Sequence, residues 1–231
     1  MKKILLFFLP LFLFSPELIQ AQEDPARYLD WVEKKYSSLK DYTVDVNVHF
    51  DIEALKAPDM QAKLYYKAPD KVKVESKNVF FFPKEGGYFN PSLFRKKDFE
   101  VRLLDHLTYD GRRAVRLRLT PTETNQQHRS FVLTLDTDRI LIKEISTSPS
   151  EGREIRAVIG YGKFADFDLP IHIDLHLDLP SVEPNGMKEF GFPGQKPKRV
   201  TGKVEIAYSH YKVNSGLGDE IFSEAEPSKL R

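Results

Sequence analysis

The 231-residue chain contains no cysteine. That absence excludes disulfides, a thiolate nucleophile and any cysteine-based metal site. It also excludes a lipobox, which needs a cysteine at the point of cleavage. Without cross-links the chain must be held by its core alone. The roughly 210 residues that follow the leader described below are enough for one all-β domain.

An excess of one charge is missing as well. Lysine and arginine number 35, aspartate and glutamate 34. Loss of the leader removes Lys2, Lys3 and Glu17 and leaves 33 of each sign. Nucleic-acid binding favours a basic excess, so none is expected here. Two short basic groups, Arg95-Lys96-Lys97 and Lys196 to Arg199, read as solvated loops before they read as a polyanion site.

The signatures of common chemistries are absent too. No G-x-S-x-G elbow, H-E-x-x-H helix or P-loop occurs. Gly160-x-Gly162 and Gly216-x-Gly218 lack the rest of a dinucleotide fingerprint and read as turn or bulge glycines. The best metal candidate is His172, Asp174, His176 and Asp178 on one strand face. Successive members lie about 6.5–7 Å apart, so neighbours could share an ion but all four span too far for one centre. A solvated strand face accounts for the same residues more simply. No pair of carboxylates is singled out for acid–base work. The residues alone thus select no catalytic pair and favour a solvated face over a metal site at His172 to Asp178.

What is present is largely apolar. Two lysines precede an apolar run from Ile4 to Phe14, with the small residue Ala21 at a cleavage position. This is the layout of a secretory signal peptide over residues 1–21. The run is too short for a membrane span, which needs about 20 apolar residues. Residues 22–231 then form one exported domain, with no second boundary, solenoid repeat or heptad.

Asp24 and Pro25 open a helix predicted over Pro25 to Leu39. Leu29, Val32, Tyr36 and Leu39 make its apolar stripe, widened by Tyr28 and Trp31. Tyr42 to Ile52 alternates as a long half-buried strand. Ala62 to Ser76 reads as strand, Pro69-Asp70 turn, strand. Its apolar set is Ala62, Leu64, Tyr66, Val72 and Val74; its polar set includes Lys63, Lys71, Lys73 and Glu75. Val79 to Phe99 is an aromatic-rich loop broken by Gly86-Gly87 and Asn90-Pro91.

Hairpin strands follow around Asp110-Gly111, then strands from Phe131 to Asp136, Ile140 to Thr147 and Ile155 to Tyr161. Ile171 to Leu179 alternates with its odd-numbered residues inward. Pro180 to Lys198 is a Pro/Gly-rich loop, and Val200 to Val213 returns to strand. The fold class is mainly β (α+β), with about 9–11 antiparallel strands in a curled or closed sheet. From pattern alone two readings stand. The helix and loop plug the core, or they form a lid over a concave face that holds a hydrophobic ligand.

Ordered along almost the whole mature chain are segments that resemble the LolA/LolB-like outer-membrane lipoprotein-sorting proteins. They are the leading helix into Leu39-Lys40-Asp41-Tyr42, the hairpin from Leu64 through Ala-Pro-Asp to Val74, and Gly111 to Pro121. Phe131 to Asp136 with Ile140 to Ile145, and Tyr211 to Phe222, complete the set. The resemblance implies a strongly curved antiparallel half-barrel with a helix and loop lid. It implies a periplasmic, non-enzymatic carrier of lipoprotein acyl chains or lipid. The partners it implies are an inner-membrane ABC transporter and an outer-membrane acceptor. A lipid-sensing or protein-interaction module of the same fold is the alternative. The well-studied carriers place an arginine just before the turn proline, where it helps hold the lid shut; here that position is Ala68. The expected ligand-binding residues are Leu64, Tyr66, Val72 and Val74 in the wall, and Trp31, Phe89 and Phe94 in the lid.

Overall fold

The computed structural model describes residues 24–52, 58–76, 89–122, 130–147, 154–179 and 200–223. The expected signal peptide, most of the aromatic loop and the Pro180 to Lys198 loop lie outside these residues.

Helix α1 spans Arg27–Lys35, shorter than the apolar spacing predicts. Asp24 Oδ1 accepts a hydrogen bond from Ala26 N at 3.0 Å, capping the turn that leads in. At the other end Ser37 Oγ donates to Lys34 O at 2.8 Å. Serine side chains compete in this way for helix carbonyls, and the helix stops there. Leu39 N then closes a turn on Tyr36 O at 3.0 Å. Tyr36 and Leu39 are still buried, so the apolar stripe outlasts the helix that predicted it.

Ten strands follow: β1 (Asp41–Ile52), β2 (Met60–Lys67), β3 (Lys71–Ser76), β4 (Phe99–Tyr109), β5 (Arg112–Pro121), β6 (Phe131–Asp136), β7 (Leu141–Thr147), β8 (Glu154–Phe164), β9 (Phe167–Leu179) and β10 (Val200–Val213). They form one sheet in the order β3-β2-β1-β10-β9-β8-β7-β6-β5-β4. Every neighbour is antiparallel. The sheet is mainly sequential hairpins. Its exception is β10, which returns to pair with β1 and so joins the first and last strands in mid-sheet. The edges β3 and β4 do not pair with each other, so the sheet is a half-barrel and not a closed one.

Turn chemistry explains the hairpins at one end. Asp110 and Gly111 both have positive φ, 49° and 73°. Two such residues make the tight turn whose twist suits a hairpin, and Asp-Gly supplies them at little cost. The strict inward set expected on β9 breaks at one place. Gly160 pairs with His172 and Tyr161 with Pro170, leaving Ile171 as a bulge residue. The extra residue is left unpaired and turned out of the inward set. Leu169 and Ile173 are buried, whereas Ile171 is 40% exposed.

Candidate functional site: the concave apolar face

Antiparallel register places apolar residues side by side in rows that cross the sheet. One row runs Phe50, Val204, Leu175, Ala157, Ile145 and Leu133, and continues into β5 and β4. A parallel row toward the β1–β10 strand ends joins Ile52, Gly202, Leu177 and Ile155. Cross-strand packing of this kind makes one face continuously apolar.

Burial grades along that face. At the α1 end Val44, Val46 and Val48 are at most 1% exposed. Further along the same strand Phe50 and Ile52 are only partly buried. Leu177, Ile155, Met60 and Val74 are likewise partly buried where β9, β8, β2 and β3 reach that end.

The α1 end is filled by the helix and by tyrosines. Tyr28, Leu29, Val32 and Tyr36 pack into the core. Tyr42 stacks on Tyr66 at 5.0 Å and meets Tyr211 at 5.6 Å. Each buried ring needs a partner for its hydroxyl. Tyr36 donates to Asp168 O, Tyr161 to Ile142 O and Tyr211 to Pro170 O, at 2.7, 2.7 and 2.9 Å. Burial pushes the phenols of Tyr161, Tyr208 and Tyr211 well above their ordinary range, so these rings stay neutral.

The four residues expected in the wall meet on β2 and β3. Leu64 pairs with Val74, and Tyr66 with Val72. Leu64 and Tyr66 are fully buried, and Val72 and Val74 partly so. The three residues expected in a lid separate. Phe89 lies against Tyr36 at 4.7 Å, with its carbonyl held by Tyr42 Oη at 2.8 Å. Phe94 is buried against Phe131 and Phe99, 5.6 and 6.0 Å away. Trp31 is 38% exposed and lines a cleft with residues of β4 and β5. That cleft adjoins the opposite edge of the strand order from Leu64 and Val74.

Charge fastens α1 to the sheet. The Asp168 carboxylate lies 2.7 Å from Lys35 Nζ and 3.0 Å from Arg139 Nη2, and its side chain is 14% exposed. Burial works to raise its pKa, but hydrogen bonds and attraction from Lys35 and Arg139 prevail and hold it below the ordinary value. Sequence reading missed this clamp. Its members lie up to 133 positions apart, and nothing local marks Asp168 as different from its neighbours.

On the outer face Asp174 pairs with Lys203 at 3.3 Å. Among the described residues no three His, Asp or Glu side chains converge as a metal site. No described helix is long and apolar enough to cross a membrane.

No protein-family model and no curated protein sequence matches the chain. Solved structures do. An outer-membrane lipoprotein-sorting protein domain from Vibrio parahaemolyticus superposes with a TM-score of 0.60 at 11% identity, covering 86% of this chain and 95% of that one. A LolA superfamily protein from Nitrosomonas europaea gives 0.56 at 13% identity, covering 85% and 97%. A DUF1329 family protein from Desulfovibrio piger gives 0.59 at 13%, covering 87% and 98%. At these identities the likeness to these three structures is one of fold.

Proposed function

We propose that this protein is a periplasmic carrier that takes acyl chains of lipoproteins or lipids onto its concave apolar face for sorting to the outer membrane. The observation that carries the reading is the graded face itself. It is fully buried under α1 and only half-buried at Phe50, Ile52, Leu177 and Val74. A sheet whose only task was to close over its own core would bury both ends alike. Each methylene moved from water to such a surface contributes about 0.8 kcal/mol, so a chain of a dozen contributes on the order of 10 kcal/mol. Binding of that strength needs no catalytic group and no cofactor. Loading by an inner-membrane ABC transporter and delivery to an outer-membrane acceptor belong to the same reading.

A second reading has its own support. Phe89 and Phe94 pack into the core where the carrier reading wants a movable lid. A protein-interaction module of the same fold would keep them there.

Native mass spectrometry on protein purified from the periplasm without detergent separates the two. The carrier reading expects a bound mass that ejects as a phospholipid or acylated peptide. It also expects Val74→Glu and Leu177→Glu to abolish that mass while circular dichroism stays unchanged. A bare polypeptide that also refuses added fatty-acyl probes would sink the carrier reading and leave the interaction module.

A further inference from the structure

The two edges of the sheet are built differently. Edge strands expose unpaired amides and carbonyls, and proteins blunt them with short strands, lysine, proline or bulges. β3 is blunted: it has six residues, follows Pro69 and carries Lys71 and Lys73. The C-terminal segment also reaches it, with Asp219 3.0 Å from Lys71. β4 has eleven residues and neither lysine nor proline. Among the described residues only β5 pairs with it. Its one blunting device is a bulge at Leu104, between Leu103 and Asp105, where the leucine is 37% exposed.

The side chains along β4 are left incomplete by β5. Val101 and Leu103 lie opposite the buried Leu119 and Leu117, so they face the core. Arg102 therefore faces outward, and there it lies opposite Arg118. Like charges directly opposite each other destabilise a strand pair. Among the described residues neither arginine has an acidic partner to offset this. Beyond the bulge Asp105 returns to the outer face, opposite Arg116. Arg116 Nη1 donates to Asp105 Oδ2 at 3.1 Å, which leaves the other carboxylate oxygen to accept elsewhere.

The strand is complementary to a second copy of itself. Run antiparallel about a twofold axis between Leu103 and Leu104, it sets Arg102 against Asp105 of the second copy, and Glu100 against its Leu107. Every such pair of residues 99–102 with residues 105–108 joins two outward or two inward side chains. A shift of one residue would set inward against outward. The two bulges fall together at the axis, so the regular stretches on either side pair in full. A contact of this kind is isologous and closes on itself as a dimer.

We infer that two copies of this protein associate edge to edge through β4, in one continuous antiparallel sheet, with Arg102 of each copy paired to Asp105 of the other. Asp105 then stands between Arg116 of its own chain and Arg102 of the second copy, and the unpaired charge on β4 is met. The exposed Leu104 of each copy is covered at the axis. The contact uses the sheet edge and leaves the half-buried end of the concave face open.

Sedimentation velocity on the full mature protein is expected to show a monomer–dimer equilibrium in the micromolar range, as suits an interface of one strand pair. Arg102→Asp sets two carboxylates face to face between copies but gives Arg118 an acidic neighbour within one. It should weaken dimerisation by about tenfold or more, with no fall in the melting temperature of the dilute protein. The register has its own test, because the chain has no cysteine to interfere. Under mild oxidation a mixture of the Glu100→Cys and Leu107→Cys proteins should cross-link faster than either alone, since neither position faces itself. A protein that stays monomeric up to millimolar concentration would overturn the inference. So would a dimer that Arg102→Asp leaves unchanged, or single cysteine variants that cross-link as fast as their mixture.

Discussion

Asp41, at the start of β1, holds Ser215, which lies 174 positions later, through two hydrogen bonds to one carboxylate oxygen. Ser215 N donates to Oδ1 at 2.8 Å and Ser215 Oγ at 3.2 Å. The other oxygen accepts from Gly216 N and Leu217 N at 3.1 and 3.4 Å. Successive amides can converge on one carboxylate because Gly216 adopts a φ of 77°. Asn214 completes the join, accepting from Lys40 N at 2.8 Å and donating to Ser38 O at 2.9 Å. Beyond it Lys67 and Lys71 reach Asp219, at 2.6 and 3.0 Å. The C-terminal segment is thus strapped across the start of β1 to the β2–β3 hairpin that carries Leu64 and Val74.

Removing the buried acceptor should loosen that strap. Asp41→Ala is expected to cost ~1–3 kcal/mol, since the orphaned amides lie near the surface and water replaces part of the loss. The urea midpoint would fall accordingly. Limited proteolysis should cut first after Asn214. A variant as stable and as protected as the parent would show that the strap contributes nothing.

The Asp168 clamp predicts a pH dependence with a definite sign. Its folded pKa lies below the ordinary value of 3.8. The stability it contributes is therefore complete above about pH 4 and is lost as pH falls through the folded pKa. Asp168→Asn should be less stable than the parent at neutral pH, and the gap should close in that acid window. Urea midpoints measured from pH 7 to pH 2 test this. A gap that stays constant across the range would refute the clamp.

Two strand glycines should respond differently to a methyl group. A Cβ on Gly202 would meet backbone, 2.6 Å from Asp51 O and 2.8 Å from Ile52 Cα. The nearest atoms to a Cβ on Gly160 all belong to the His172 imidazole, an exposed side chain that can swing away. Gly202→Ala should cost ~1–3 kcal/mol through displaced backbone, and Gly160→Ala well under ~1 kcal/mol, as solvent-side changes do. Equal melting temperatures for the two variants would contradict this register.

The two ends of the apolar face should also separate by mutation. Leu169, next to the Asp168 clamp under α1, is completely buried, and Leu169→Ala is expected to cost ~2–5 kcal/mol. Leu177 is only partly buried, so Leu177→Ser should cost roughly 1 kcal/mol or less. A fluorescent fatty acid should bind the first variant while it is folded and lose most of its affinity for the second. The reverse ranking would place ligand contact at the wrong end.

The hairpins were legible because their determinants are local. Alternation marks which residues share a face, and Asp110-Gly111 and Pro69-Asp70 mark where the chain reverses. The pairing of Leu64 with Val74 and of Tyr66 with Val72 was legible for the same reason: all four lie within five positions of the Pro69-Asp70 turn, and a short turn leaves little choice of register. Local pattern misled at two places. The apolar stripe of α1 runs on to Leu39, but the helix stops where Ser37 bonds the Lys34 carbonyl. Ile171 keeps the alternation in sequence while a bulge puts it on the outside.

Composition and period-two alternation depend only on near neighbours, and they specify an uncross-linked, charge-balanced, mainly β chain with one amphipathic helix. Tertiary structure decided the rest. It set β10 beside β1, drew Lys35 and Arg139 onto Asp168, and closed Asp41 over Ser215. It also sent Trp31 to a cleft apart from Phe89 and Phe94, which pack in the core. These pairings join residues far apart in the chain, and their free energy exists only once the sheet has curled and brought them into contact.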